Sequence, residues 1–205
     1  MYRPERLVIG TKNKGKIAEL EALLAPLEIR LTGLDEFDSV PDVRETGSTF
    51  KENAGIKARE YAVFSGHWTL ADDSGLVVYA LDGKPGVFSA RFAGNNASDL
   101  ENTEKLLGEM TGLKGRDRRA CFVCEMAVAD DEGQVVFSAL GRCEGTIADK
   151  PFGTNGFGYD PVFLPEGFDL TFGELPDEVK SRISHRAAAA SEIADFFGSL
   201  SLPRT

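Results

Sequence analysis

The chain contains no apolar run approaching 18 residues, so nothing in it reads as a membrane span. Its first residues, MYRPERLVIG, lack the apolar stretch of a signal peptide, and a cytoplasmic protein is expected. Cysteine is scarce: Cys121, Cys124 and Cys143 make an odd three, which argues against a disulfide framework. Positive charge is short as well, with 23 basic residues against 33 acidic ones and a net charge of −10. A surface of that sign does not attract nucleic acid or anionic lipid, so neither is expected as a partner. Any phosphate site must then be a local basic cluster or use a metal ion. Repeats, low-complexity segments and linkers are missing too. With 205 residues, 42% of them hydrophobic, the chain is long enough for a sizeable core. Over residues 1–205 that length fits one large domain, or one domain with a sub-lobe.

Cys121 and Cys124 form a C-x-x-C in RRACFVCEMAVAD. The segment is rich in strand formers, and in a strand positions i and i+3 face opposite ways. No second Cys pair or His-x-His cluster completes a zinc site. Buried strand cysteines are the expectation, and His67, before Trp68, reads as structural.

RLVIGT (6–11) predicts a strand, and NKGKIAELEALLAPL (13–27) a helix with Ile17, Leu20, Leu24 and Leu27 on one stripe. TFKENAGIKAREYAVF (49–64) predicts a second helix, with Phe50, Ala54, Ala58 and Tyr61 on one face. Lys57 falls inside that stripe and Asn53 borders it; a lysine there needs water or an anion at its ammonium. WTLADDS (68–74) and LVVYALDG (76–83) read as two strands broken at the Asp-Ser-Gly turn residues. A helix over 99–110, two long strands joined by DDEG, a Gly- and Pro-rich loop over 150–167 and two closing helices complete the chain. Hairpins mixed with helices predict an α/β fold with a mixed rather than purely parallel sheet.

Four stretches have residues suited to chemistry. In TKNKGK (11–16), Lys12, Lys14 and Lys16 stand at a helix start, where backbone N–H groups and the dipole favour an anion and cations are misplaced. A bound phosphate resolves that misfit, and a solvated lysine cluster is the other reading; the spacing of a Walker A loop is absent. In ADDSG (71–75), two adjacent carboxylates close an apolar strand, either as a ligand site or as a plain turn. In GTNGFGYDPVF, Phe157 and Tyr159 have the rings to stack on a base and Asp160 the carboxylate to bond it, or they anchor a loop. In KSRISHRAA, Lys180, His185 and Arg186 gather positive charge in an acidic protein. Dipole compensation accounts for Lys180 but not for His185 and Arg186, which begin a helix.

Taken in order, TKNKGK, ETGSTFKENAGIKAR, LADDSGL, PGVFSARFAG, GTNGFGYDPVF and KSRISHR resemble the inosine/xanthosine triphosphate pyrophosphatase family, also called Ham1-like. The resemblance runs through nearly the whole chain. It implies an elongated mixed sheet with flanking helices, two lobes around a central cleft, and usually a homodimer. The implied activity is hydrolysis of ITP, dITP and XTP to the monophosphate and pyrophosphate, which cleanses the nucleotide pool of noncanonical purines. A non-catalytic purine nucleotide sensor and a pyrophosphatase for other modified nucleotides are the alternatives.

Carried over by motif, the resemblance implies that Thr11, Lys12, Asn13, Lys14, Gly15 and Lys16 bind the triphosphate and that Lys57 reaches a phosphate. Asp73 is implied as the catalytic acid and metal-contacting position, with Ser74 touching substrate. Phe157, Gly158, Tyr159 and Asp160 are implied to hold the nucleoside, with Phe157 stacking. Lys180, His185 and Arg186 are implied to read the base. Mg2+ is the implied cofactor, held by Asp73 and Glu45. Family members often carry two acids before TG, and this chain has Arg44 in the first of those positions, which leaves Glu45 and water to complete the shell. Asp73 would act on the attacking water directly or through the metal, with a phosphoenzyme as an alternative. Asp72 is read as a support to the site.

Overall fold

The computed structural model describes residues 2–201. Its strands are β1 (Arg6–Ile9), β2 (Arg30–Gly33), β3 (Thr69–Val78), β4 (Arg119–Ala129), β5 (Val135–Ile147) and β6 (Phe163–Pro165). They form one six-stranded sheet in the order β2-β1-β3-β4-β5-β6. β1 runs parallel to β2 and β3, whereas β5 and β6 are antiparallel, so the sheet is mixed as the sequence predicts. The flanking helices are α1 (Lys14–Leu24), α2 (Phe50–Ser65), α3 (Asp99–Glu109), α4 (Asp177–Ile183) and α5 (His185–Ser199). Among the described residues, no helix is long and apolar enough to cross a membrane.

Local chemistry explains where these elements start. Asn13 caps α1 by accepting from the Lys16 N–H at 3.1 Å. Thr49 and Glu52 form a reciprocal capping box at α2, and Ser98 and Glu101 form another at α3. The DDEG turn closes with the Asp130 N–H donating to the Gln134 carbonyl at 3.0 Å.

Two expectations change. Residues 68–83 are not two strands: β3 runs unbroken through Asp72, Asp73, Ser74 and Gly75 to Val78. Pairing in the sheet overrides the turn propensity of that tetrad. The loop over 150–167 also contains β6, and β2 adds an edge strand after α1.

The chain divides into two compact units. The first takes everything up to Asp73, Cys124–Gly141 and everything from Arg186; the second takes Ser74–Val123 and Arg142–His185. In the first unit, Leu7, Leu70, Met126 and Val128 meet Leu20, Leu24, Ile193 and Phe197 of α1 and α5 in one core cluster. Ala54, Ala58 and Ala62 of α2 meet Ala71, Ala127 and Ala129 in another, an all-alanine layer that lets helix and sheet approach closely. The second unit is centred on Leu76, Leu106, Met110, Phe122, Phe163 and Phe172. All three cysteines are buried free thiols, as expected. His67 contacts Arg6 and lies beside the Phe37 ring, a structural setting.

Gly145 of β5 faces Pro165 of β6 across the ladder, and a Cβ there would stand 2.2 Å from the Leu164 carbonyl oxygen. Gly145→Ala is expected to destabilise by about 1–3 kcal/mol through this overlap. Urea denaturation measures it, and an unchanged midpoint would show that β6 shifts aside freely.

Candidate active site

A β-strand sends successive side chains to opposite faces. In β3, Leu70 belongs to the α1/α5 core and Ala71 to the alanine layer under α2. Asp72 therefore follows Leu70 and Asp73 follows Ala71, and the two carboxylates part company.

Asp72 is fully buried on the α1/α5 side. Its Oδ2 lies 3.0 Å from Lys16 Nζ and 3.2 Å from an Arg186 guanidinium nitrogen, and Cys124 Sγ approaches it at 3.8 Å. Burial would push the Asp72 carboxyl up, but the charges of Lys16, Arg186 and Lys57 override it and hold the group well below the usual carboxylate range. The Cys124 thiol goes the other way: burial, and then Asp72, push it up to about 12, so it stays protonated. Arg186 is the second residue of α5 and, among the described residues, the largest of the fully buried side chains. Its guanidinium bonds both Asp72 and Glu19 of α1.

Asp73 faces α2. Its Oδ2 accepts from Asn53 Nδ2 at 3.1 Å, and its Oδ1 lies 3.5 Å from Lys57 Nζ. Glu45 reaches the same ammonium, Oε1 to Nζ at 2.6 Å. Lys57 stays charged: its burial is outweighed by Asp73, Asp72 and Glu45, which raise its pKa. Burial pushes the Asp73 carboxyl above its ordinary value, Lys57 holds part of that rise back, and Glu45 adds to it. The lysine inside the apolar stripe thus has its anions, and they are protein carboxylates. Asn53 was legible only as a polar residue bordering that stripe. It sits one turn before Lys57, and it also accepts from the Gly47 N–H at 2.8 Å, which fixes the loop after Glu45.

The start of α1 carries the basic cluster. No acidic residue stands in its first turn, which begins Lys14-Gly15-Lys16. Thr11 Oγ1 accepts from the Asn13 N–H and the Asn13 side chain caps the helix, so both serve the turn itself. Lys12 and Lys14 are exposed, Lys12 lying 3.6 Å from the exposed Asp42, while Lys16 turns in to Asp72.

In the second unit, Phe157, Gly158, Tyr159 and Asp160 form a tethered loop. Asp160 is buried, and its Oδ2 accepts from the Phe157 N–H at 2.8 Å and from Lys180 Nζ at 2.5 Å. Lys180 Nζ also stands 4.9 Å from the centre of the Phe157 ring. The Gly158 N–H donates to Asp99 at the start of α3, at 2.7 Å. His185 stacks on Phe122 with ring centroids 4.7 Å apart. Ser74 is half-buried in β3.

Whether the Glu45–Asp73 pair suits a divalent cation can be tested on this geometry. Two carboxylates from different elements already converge on one positive centre, the Lys57 ammonium. Among the described residues, no group of three or more His, Cys, Asp or Glu comes together to hold a metal. That donor set fits Mg2+, which takes one or two carboxylates and fills its octahedron with water and phosphate oxygens.

The fold is α/β, the first unit carries a basic helix start and a buried lysine between two carboxylates, and the second carries a ring-bearing loop. The comparisons with known proteins are more specific. A sequence model of the Ham1 family matches residues 7–196. A dITP/XTP pyrophosphatase of Geobacter sulfurreducens is 47% identical over 193 residues, covering 94% of this chain and 96% of its own. One from Listeria monocytogenes is 45% identical over 188 residues, covering 92% of each. Among solved structures, a HAM1 protein from Coxiella burnetii has a TM-score of 0.85 at 43% identity, over 97% of this chain and 99% of that one. The Ham1 protein of Staphylococcus aureus has a TM-score of 0.83 at 40% identity, over 94% and 98%. The chain belongs to the Ham1 family.

Asp72→Asn leaves Lys16 and Arg186 without their buried anion, and a loss of about 3–5 kcal/mol at pH 7 is expected. The pH dependence follows from the depressed carboxyl. The unfolded Asp72 binds a proton near pH ~3.9 while the folded one stays ionised. Its stabilisation is therefore present above that value and lost as pH falls below it. Urea midpoints from neutral to acidic pH should drop less steeply at the acid end in Asp72→Asn than in wild type. Parallel curves would remove Asp72 from this role.

Proposed function

We propose that this chain hydrolyses noncanonical purine nucleoside triphosphates, ITP, dITP and XTP, to the monophosphate and pyrophosphate. The observation that carries the reading is the convergence of Glu45 and Asp73 on the buried Lys57 ammonium, in a chain that shares more than nine-tenths of its length with dITP/XTP pyrophosphatases. Water attacks the α-phosphorus, the bond to the bridging oxygen breaks, and that oxygen leaves with the β-phosphate as pyrophosphate.

Asp73, buried and held by Asn53, orients the water and accepts its proton; its raised pKa makes it a better base than an exposed aspartate. Lys57, Lys12, Lys14 and Lys16, with the first-turn N–H groups of α1, offset charge on the triphosphate and on the leaving pyrophosphate. Glu45 and Asp73 would hold Mg2+, which supplies Lewis-acid stabilisation of phosphate oxygens when bound. Phe157 stacks on the base. Asp160 holds the Phe157 backbone and Lys180 in place for it. Lys180, His185 and Arg186 read the base, Arg186 as a guanidinium oriented by Glu19 and Asp72. A donor facing the 6-oxo group disfavours the 6-amino group of adenine. A cytoplasmic location and a homodimer go with this reading, the homodimer resting on the family resemblance.

Pyrophosphate release from ITP, XTP, dITP, ATP and GTP, with and without Mg2+, tests it. Release is expected from the first three, dependent on Mg2+, and far less from ATP. Release from none leaves a nucleotide sensor, and equal rates on ATP and ITP defeat the base selectivity. Asp73→Asn should lower kcat by about 100-fold or more while the thermal unfolding transition stays cooperative; near-wild-type turnover would take the base role from Asp73.

A further inference from the structure

The segment PGVFSARFAG has no residue in the site as built so far. It folds as a 3-10 turn over Gly86–Arg91 with Ser89 buried inside the second unit. A serine hydroxyl offers one donor and two acceptor positions, and Ser89 uses both kinds. Its Oγ donates to the Gly86 carbonyl at 2.7 Å and accepts from the Leu76 N–H at 2.9 Å. Its own carbonyl accepts from the Tyr159 hydroxyl at 2.9 Å. Tyr159 is buried, and burial pushes its phenol up, so it remains a donor at neutral pH. Gly75 completes the fit: a Cβ there would lie 2.4 Å from Ser89 Oγ and 2.5 Å from the Gly86 carbonyl. One residue thus grips the backbone two positions after Ser74 and, through its carbonyl, the loop of Phe157 to Asp160.

We propose that Ser89 is a positioning residue that holds the Ser74–Leu76 backbone and the Tyr159 loop in one arrangement, and thereby sets the affinity for the nucleoside triphosphate. The proposal rests on the pyrophosphatase reading above. Ser89 touches neither the reacting phosphorus nor the attacking water in that reading. Its loss therefore weakens binding rather than chemistry.

Steady-state kinetics with ITP and hydrogen exchange of the unliganded protein test this on Ser89→Ala and Tyr159→Phe. Ser89→Ala removes the hydroxyl that bonds the Leu76 N–H and the Gly86 carbonyl. It should raise KM about tenfold while kcat changes by less than about threefold. Exchange should quicken in residues 74–78 and 156–162 together. Tyr159→Phe removes only the bond to the Ser89 carbonyl and should raise KM several-fold, with faster exchange in 156–162. A cooperatively folded Ser89→Ala with KM within about twofold of wild type, or with the loss in kcat alone, overturns the proposal. Should Ser89→Ala fail to fold, Tyr159→Phe decides, and a wild-type KM there overturns it. Wild-type protein that releases no pyrophosphate from ITP, XTP or dITP sinks the reading beneath. The exchange result then stands alone: faster exchange in both segments supports the coupling, and change confined to 86–91 refutes it.

Discussion

The side-chain alternation of β3 is the constraint on which the first unit depends. Asp72 and Asp73 are neighbours in sequence, and on one face they would compete for the same cations. On opposite faces each has its own: Lys16 and Arg186 for Asp72, Lys57 for Asp73. Two opposite charges about 4 Å apart gain about 4 kcal/mol at an effective dielectric of 20. Removing a carboxylate from water costs several kcal/mol. Asp72, fully buried, needs both its cations; Asp73, with Lys57 shared by Glu45, keeps a raised pKa. The same residue type is thus made a fixed anion on one face and a carboxyl of raised pKa on the other.

The surrounding elements follow from these two demands. Asp72 draws together α1 through Lys16 and α5 through Arg186, and Glu19 closes the arrangement by bonding Arg186 from α1. On the other face the alanine layer brings α2 close enough for Asn53 and Lys57 to reach Asp73. The second unit uses a parallel device: buried Asp160 is neutralised by Lys180 and uses the same oxygen to fix the Phe157 backbone. In each unit a buried carboxylate serves as a fastening for a cation that the proposed chemistry needs.

Much of this was legible in the sequence. Apolar stripes marked α1 and α2, the residues of α3 to α5, β1 and the β4–β5 hairpin marked those elements, and Lys57 on an apolar stripe asked for water or an anion at its ammonium. The Asp-Asp-Ser-Gly tetrad misled because its residues favour turns, whereas β3 runs through it extended within the sheet, between β1, which pairs at Thr69 and Leu70, and β4. β2, RLTG, has only one buried residue, and β6 lies inside the Gly- and Pro-rich loop, so neither stood out as a strand. The bonds of Asn53 to Asp73, Asp99 to Gly158 and Arg186 to Glu19 span 20, 59 and 167 positions, and no local pattern announces them. Ser89 was visible only as part of a motif; its hydrogen bonds needed the fold.

The separation of the two aspartates can be measured directly by following their carboxyl 13C shifts in an acid titration by NMR. Asp72 should show no inflection down to the pH at which the protein unfolds, while Asp73 titrates above the ordinary aspartate value of about 3.9. Both carboxyls titrating together near that value, or Asp72 titrating above Asp73, would contradict the division of roles.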